Sequence, residues 1–446
     1  MKIACCCILY CWASWSYAQG LFTLTKDKPL TFKFDLVNHL VLVPVTINGV
    51  EFSFLMDTGV KETILFAHTD DSLFLNNQHK IKFQGLGVGA PVEGIISTGN
   101  VVIVGGVAID SLHWLYVVQG EDLDISSSVG VGINGILGST FFRSFPLKIN
   151  YIRQRITIFP PDYDYSVRGY TEIPVEILND KPYVLGSVLV DEAWMHGKLL
   201  VDMGNSDPFM LFAFLLPHFE VREPYIDAYI GQGFNGPIYG KRNRIRQVSL
   251  YGFDFDYPIV SYPDSTALQV ARLAPERIGS IGNQSLQRMH LLMDYKKERF
   301  YIRKNRQFGK AFLLNMSGIE VKHAGMTWTR ELVQMTRPKS MGSQVLGEEL
   351  GVTIDLTDHI FHHRFTLKPI YIIDEVRQGS PAARAGVQPG DTLIRINGAR
   401  TNNLTLSRIL SKLQTKPYDQ VRLILRRSNE DIRVHFRLED PIPYHL

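Results

Sequence analysis

The stretch SFLMDTGVKETILF (Ser53–Phe66) places two apolar, strand-like runs on either side of a polar turn, Asp57-Thr58-Gly59. Asp and Gly both favour bends, so the tripeptide alone is also consistent with a strand that simply ends in a turn. A carboxylate between apolar flanks is costly to keep ionised, because burial disfavours its charged form. The stretch therefore raises the question whether Asp57 has a partner elsewhere in the chain.

An internal repeat supplies that partner. VTINGVEFSFLMDTGVKETILF (Val45–Phe66) aligns with VLVDEAWMHGKLLVDMGNSDPFMLF (Val188–Phe212), which matches Asp57 with Asp202 at an offset of 145 residues. Two further pairs of segments match in the same order at offsets of 146 and 144 residues: Gly85–Gly94 with Gly231–Gly240, and Gly135–Phe159 with Gly279–Arg303. Three ordered matches at nearly one offset predict a duplicated lobe of about 145 residues.

Two carboxylates facing each other across a pseudo-twofold axis are suited to acid–base chemistry. Like charges at about 3 Å cannot both be ionised, so the pair shares one proton. The ionised partner takes a proton from a water molecule while the protonated partner hydrogen-bonds the carbonyl under attack. A glycine two positions after each aspartate lets the backbone fold back and donate hydrogen bonds to the carboxylates.

Four motifs carry a resemblance to a known family: FLMDTG and GILGSTFF in the first repeat, LLVDMGNS and SIGNQSL in the second. On these motifs, the chain from about Leu30 to Lys304 resembles aspartic proteases of the pepsin and retroviral type. The resemblance implies a mainly β, two-lobed acid-protease fold with a cleft between the lobes. It also implies one catalytic aspartate from each lobe, Asp57 and Asp202, so that no homodimer is needed to complete the site.

The resemblance assigns further residues. It implies that the residues following each aspartate support the dyad: Thr58, Gly59, Met203 and Gly204. It implies that the glycine-rich hairpins are flaps closing over an extended substrate: Gly85, Gly87, Gly89, Gly231, Gly233 and Gly236. The chain departs from the family at Met203, where a Thr or Ser hydroxyl grips the other lobe, and at Val60, where a small or hydroxyl residue is usual.

The C-terminal stretch GSPAARAGVQPGDTLIRINGARTNNLTLSRILSKLQ (Gly379–Gln414) predicts a second kind of domain. Ser380 and Pro381 are typical of the start of a short helix, and Asn397-Gly398 is typical of a tight hairpin turn. Apolar residues at near-helical spacing follow, and then two alternating strands. The stretch resembles a PDZ domain of the bacterial type. The whole chain is thus similar to exported bacterial aspartyl proteases with a C-terminal PDZ domain.

In PDZ domains a C-terminal or extended peptide adds as a strand between a sheet edge and the amphipathic helix. The segment NMSGIEV fits the carboxylate-binding loop best, with backbone N–H groups offered by Ser317, Gly318 and Ile319; Glu348–Leu356 is a rival. Between the two lies a long polar run, Lys322–Gly347, which departs from the compact family pattern. The expected partners are a peptide or protein substrate and a PDZ ligand peptide or C-terminus.

Composition and the N-terminal residues limit the remaining classes of function. A net charge of +3 over 446 residues argues against nucleic-acid binding. The first twenty residues resemble a signal peptide with cleavage after Ala18, which predicts export, and the resemblance to bacterial proteins implies that the chain is periplasmic or secreted. All four cysteines lie in this leader and no later run reaches the ~18 apolar residues of a membrane span, so we expect no thiolate chemistry and no stable span.

We therefore predict a signal peptide (1–18), two protease lobes (19–160 and 161–305) and a PDZ domain with a long N-terminal insertion (306–446). The histidines of HIFHHR (His359, His362 and His363) favour a solvated loop or strand over a metal site, because neither an HExxH motif nor a later cysteine accompanies them. No metal and no cofactor are expected. The prediction is an aspartic-type endopeptidase. The alternative is a peptide-binding scaffold whose cleft no longer cuts, which Met203 favours.

Overall fold

The computed structural model describes residues 21–67, 75–83, 92–119, 125–190, 192–216, 218–233, 236–267, 273–335 and 360–444. The predicted mainly β fold class is confirmed, since the described strands form four sheets and the helices are short. The chain divides into two compact units. The first comprises Met1–Leu123, Ile133–Phe312 and Tyr444–Leu446, and the second comprises Asp124–Gly132 and Leu313–Pro443.

The strands of the first half are, in chain order, β1 (Thr23–Leu24), β2 (Leu30–Lys33), β3 (Asp35–Val37), β4 (Leu40–Ile47), β5 (Val50–Met56), β6 (Thr63–Ala67), β7 (Gln78–Phe83), β8 (Val92–Val104), β9 (Ala108–Gln119), β10 (Gly135–Leu137), β11 (Leu147–Asn150) and β12 (Arg155–Ile158). The helices α1 (Ile125–Val129) and α2 (Ser139–Ser144) interrupt them. Most of these strands form one sheet in the order β1-β9-β6-β10-β5-β4-β8-β7, with β3 paired to β4.

The strands of the second half are β13 (Thr171–Pro174), β14 (Glu176–Leu178), β15 (Lys181–Val190), β16 (Ala193–Asp202), β17 (Phe209–Leu211), β18 (Ile226–Gly233), β19 (Gly236–Arg244), β20 (Gln247–Leu250), β21 (Phe253–Asp256), β22 (Ile259–Pro263), β23 (Arg277–Gly282), β24 (Met289–Asp294) and β25 (Arg299–Lys304). Helix α3 (Asn283–Leu286) and two 3₁₀ turns (Ala213–Leu215 and Ser265–Ala267) lie among them. The second sheet runs β18-β19-β22-β17-β23-β16-β15-β20-β21, with β14 paired to β15.

The sequence repeat reappears as a repeated topology. In the first sheet β10 pairs in parallel with β5 and antiparallel with β6. In the second sheet β23 pairs in parallel with β16 and antiparallel with β17, at the matching positions of the repeat. A third sheet, β13-β25-β24-β11-β12-β2, draws strands from both halves, and at its centre β11 pairs with its repeat counterpart β24. The two lobes therefore share a sheet on the pseudo-twofold axis.

The second unit contains β26 (Ile319–Met335), β27 (Ile360–Val376), α4 (Pro381–Arg384), β28 (Thr392–Ile396), β29 (Ala399–Arg400), a 3₁₀ turn (Thr401–Asn403), α5 (Leu406–Leu413), β30 (Gln420–Arg427) and β31 (Glu430–Arg437). Its sheet runs β26-β27-β28-β30-β31, with β29 paired to β28. The predicted cap is present, because Ser380 Oγ accepts a hydrogen bond from the Ala383 N–H at 3.2 Å. The predicted hairpin turn is also present, with φ values of 49° and 83° at Asn397 and Gly398.

Several predictions fall partly outside the described residues. In the long polar run Lys322–Gly347, the residues from Lys322 to Met335 belong to β26, and the remainder is not described. The rival carboxylate loop (348–356) and the leader (1–20) are not described either, so export stays a prediction. The predicted domain boundaries also stay predictions. Within the described ranges, no helix is long and apolar enough to cross a membrane.

Candidate active site

The two repeat aspartates lie at equivalent strand ends. Asp57 directly follows β5, and its N–H donates to Leu137 O of the parallel strand β10 at 3.0 Å. Asp202 is the last residue of β16, opposite Gly282 of the parallel strand β23. The parallel neighbour fixes each strand end in the sheet, so the backbone that carries each carboxylate is held firmly.

The carboxylates of Asp57 and Asp202 lie against the glycines of the two Asp-x-Gly turns. A methyl group on Gly59 would lie 3.0 Å from Asp202 Oδ1 and 3.1 Å from Asp57 Oδ1. A methyl group on Gly204 would lie only 2.2 Å from Asp57 Oδ2. Each lobe's glycine thus contacts the other lobe's carboxylate, and the structure brings the predicted pair together.

Backbone N–H groups face the carboxylates, as the Asp-x-Gly pattern predicts. The Gly59 N–H donates to Asp57 Oδ1 at 2.6 Å, and the Gly204 N–H donates to Asp202 Oδ1 at 3.2 Å. The Gly204 N–H also interacts with the Asp57 carboxylate, which lowers the pKa of Asp57 against the larger effects described below. These donors hold both side chains in place and link one lobe's aspartate to the other lobe's turn.

Thr58 forms one of the connections between the lobes. Its buried hydroxyl donates to Val201 O at 2.5 Å and accepts from the Met203 N–H at 3.0 Å. One hydroxyl therefore satisfies a carbonyl and an N–H of the opposite lobe, directly beside Asp202.

The Met203 side chain packs in the interior and does not separate the two aspartates. Its side chain is fully buried, while its carbonyl accepts from Asn283 Nδ2 at 3.0 Å. Tyr151 OH, from the other lobe, donates to Asn283 Oδ1 at 2.7 Å. This relay from Tyr151 through Asn283 supports the Met203 backbone without a hydroxyl at position 203. Sequence reasoning aligned both segments in the repeat but did not find the relay.

Replacing Thr58 by valine is expected to lower the free energy of unfolding by about 1–3 kcal/mol, because a buried carbonyl and a buried N–H lose their partner. Thr58→Ser keeps the hydroxyl and is the matched control, with a smaller expected loss. Chemical denaturation of both variants beside wild type measures the difference. Valine keeps the methyl group and lacks only the hydroxyl, so a Thr58→Val variant as stable as wild type would show that the hydroxyl bridge does not stabilise the fold.

Burial and mutual repulsion set the protonation of the dyad. Burial, followed by the negative charge of Asp202, raises the pKa of Asp57 to about 7. Burial also raises the pKa of Asp202, and the positive charges of Arg277 and Lys181 act against that rise. Lys181 lowers the pKa of both aspartates, whereas the positive charge of Arg277 acts on Asp202 and favours its ionised form.

Arg277 is a functional candidate that sequence reasoning missed. Its guanidinium lies 5.0 Å from the ring centroid of Phe212 and 5.9 Å from that of Tyr183, and its Nε donates to Gly279 O at 3.1 Å. Burial lowers the pKa of Arg277, and the Asp202 charge opposes this. No motif in the sequence marks Arg277, because Tyr183 and Phe212 reach it only through the fold.

Both lobes contain the hairpins predicted as flaps. β18 and β19 pair around Gly231, Gly233 and Gly236, with residues 234 and 235 not described. β7 and β8 pair in the first lobe, but Gly85, Gly87 and Gly89 lie outside the described residues. The flap role of these glycines stays a prediction. Arg242 of β19, within the basic run Lys241–Gln247, pairs with Asp207 at 2.8 Å.

The predicted carboxylate loop of the second unit has largely satisfied donors. The Ser317 N–H donates to Asn315 Oδ1 at 3.0 Å, and the Ile319 N–H donates to Ser317 Oγ at 3.2 Å. Gly318 adopts a φ of 80°, which favours glycine. The assignment of Ser317, Gly318 and Ile319 to peptide binding stays a prediction, but two of the three N–H groups are already used within the loop.

No group of three or more potential metal ligands is found among the residues that the structure describes. His359 lies outside them, and the side chains of His362 and His363 in β27 are not described.

Comparison with known families agrees with the architecture. A family model described as an aspartyl protease matches residues 43–141, which include Asp57 and, from the first lobe's GILGSTFF segment, Gly135 to Phe141. A family model described as a PDZ domain matches residues 372–427. No curated protein matches the chain. Asp202 lies outside both matched segments, so its pairing with Asp57 rests on the internal repeat and on the geometry.

Proposed function

We propose that this chain, which contains an aspartyl protease domain and a C-terminal PDZ domain, is an aspartic-type endopeptidase with an Asp57/Asp202 dyad. The observation that supports this most is the convergence of the two carboxylates from equivalent strand ends, each against the other lobe's glycine. The matching family model covers only one of the two aspartates, Asp57.

The geometry supports a division of roles within the dyad. Asp202, beside the charge of Arg277, is the ionised base that takes a proton from the attacking water. Asp57, which holds the shared proton, donates it to the oxygen of the scissile carbonyl. The resulting tetrahedral adduct collapses when Asp202 passes the proton it took from water to the amide nitrogen and Asp57 takes a proton back from an adduct hydroxyl, so that the C–N bond breaks and the carbonyl re-forms. One proton on the pair is required throughout, so activity needs the singly protonated dyad.

The test is cleavage of an unbiased peptide library between pH 3 and pH 8 by the chain without residues 1–18. We expect a bell-shaped profile in which cleavage falls above about pH 7, because the Asp57 pKa of about 7 is where the shared proton is lost. At low pH activity falls as Asp202 also becomes protonated. A statine peptide, which mimics the tetrahedral adduct, is expected to block the reaction. Cleavage that persists undiminished at pH 8 or resists statine would contradict the proposal.

One observation favours a second candidate, a peptide-binding scaffold without catalysis. Thr58 has no hydroxyl counterpart in the second lobe, where Met203 stands. Absence of cleavage at every pH, together with tight binding of the statine peptide, would support the peptide-binding scaffold. The close approach of both carboxylates to Gly59 and Gly204 supports the enzyme instead. For the PDZ domain we propose peptide recognition, since an amphipathic helix and an edge strand are both present.

A further inference from the structure

The PDZ domain contains an edge strand and a helix of the kind between which such domains bind a peptide, and the space between these two elements is called the groove below. β26 lies at an edge of the described sheet, and α5 contacts β26. The inward face of α5 is apolar, since Leu406, Ile409 and Leu413 are all buried. Extended peptides bind between such a strand and such a helix.

A distant segment of the same chain lies at this groove. Helix α1 (Ile125–Val129) belongs to the same compact unit as the PDZ domain and contacts β26. The next residue, Gly130, approaches the first residue of α5 so closely that a methyl group on it would lie 2.5 Å from Leu406 Cβ and 2.9 Å from Leu406 Cδ2. Val129 is 6% exposed. The segment therefore touches both walls of the groove.

We propose that Ile125–Gly132 is the PDZ domain's own ligand, and that an external peptide reaches the groove only by displacing this segment. The sequence ISSSVGVG contains no charged residue, which suits an apolar groove. Because the segment is tethered, it acts at a high effective concentration and competes strongly with a free peptide.

The loop at the end of the groove agrees with an internal ligand. A C-terminal ligand needs free N–H groups for its carboxylate, but those of Ser317 and Ile319 donate to side chains of their own loop. An internal segment brings no terminal carboxylate and so needs no such donors. The contact through a helical turn at α1 also differs from simple strand addition, which pairs a peptide backbone with the sheet edge.

The test measures binding of a fluorescein-labelled peptide of sequence ISSSVGVG to the full chain, in an Asp202→Asn background so that the probe is not cut. In the Asp202→Asn parent the segment is unchanged and is expected to keep the probe out of the groove. In Gly130→Ala the new methyl group collides with Leu406 at a backbone φ of +80°, so the tethered segment leaves the groove. Fluorescence anisotropy is expected to show at least about tenfold tighter probe binding for this variant.

Two glycines provide matched controls. Gly132→Ala changes the same segment, but its methyl group meets nothing within 4 Å. Gly106→Ala imposes the same strain, at a φ of +70°, with nothing within 4 Å. Both controls are expected to bind the probe as weakly as the parent chain. Tightening in either control would show that strain or alanine itself, and not the contact with Leu406, opens the groove.

A second variant covers the case in which Gly130→Ala fails to fold. Val129→Asp places a charge at a buried anchor and is expected to release the segment without changing the glycine backbone. Circular dichroism reports folding of each variant. If folded release variants bind the probe no better than the parent, the proposal is overturned. The experiment measures probe binding, so its result does not depend on whether the chain has protease activity.

Discussion

Asp57→Asn and Asp202→Asn are each expected to lower kcat/KM by at least about 10³-fold, because either change removes one half of the acid–base pair. The asparagine side chain keeps the shape of aspartate, so the loss reports chemistry and not packing. The measurement is cleavage of the best substrate from the library at the pH optimum. Asp162→Asn is the control, since Asp162 forms only an exposed ion pair with Lys296 and is expected to leave activity unchanged.

The pH dependence of stability in the same Asp57→Asn variant is a second measurement, and an aspartate with an ordinary pKa would not give the result expected here. A folded-state pKa of about 7, above the ordinary value of 3.8, means that the folded chain binds more protons than the unfolded chain between these two values. Stability of the wild type therefore falls as pH rises from about 4 to 7 and stays low above. Asparagine is neutral throughout, so the variant is expected to be more stable than wild type at pH 8, on the order of a few kcal/mol, and equally stable at pH 3. A variant less stable than wild type at pH 8 would contradict a buried, strained dyad.

Gly204→Ala is expected to lower kcat/KM by at least about 10²-fold, because its methyl group would lie 2.2 Å from Asp57 Oδ2 and must push that carboxylate out of position. Gly59→Ala is expected to have a smaller effect, since its contacts with the two carboxylates are 3.0 and 3.1 Å. Gly309→Ala, with nothing within 4 Å, is the control. The order of loss should be Gly204→Ala, then Gly59→Ala, then Gly309→Ala. Full activity in Gly204→Ala would contradict a role for the Asp57 carboxylate that depends on its position against this turn.

Local signals in the sequence predicted the PDZ elements well. Ser380 caps α4 by accepting from the Ala383 N–H at 3.2 Å, and Asn397-Gly398 turns the hairpin, because a cap or a tight turn is decided by neighbours in the chain. The dyad was predictable for another reason, since duplication left the same Asp-x-Gly turn after a strand in both halves.

Other parts of the site could not be predicted because they depend on residues brought together by the fold. The relay from Tyr151 to Asn283 crosses 132 positions of sequence, and neither residue alone signals a role. Met203 lacks the hydroxyl that the family has at this position, yet its backbone N–H reaches Thr58 and its carbonyl reaches Asn283. A side-chain pattern does not report such backbone contacts.

The chain path through the second unit has a consequence for the order of folding. Residues 125–132 leave the ribosome about 180 residues before Leu313, so the segment must wait while most of the chain is synthesised before β26 and α5 exist. Fragments that end near Phe312 would leave Val129 without these packing partners and expose an apolar stretch to aggregation. Dissection of this protein at the apparent domain boundary would therefore give a first fragment that is less soluble than the intact chain.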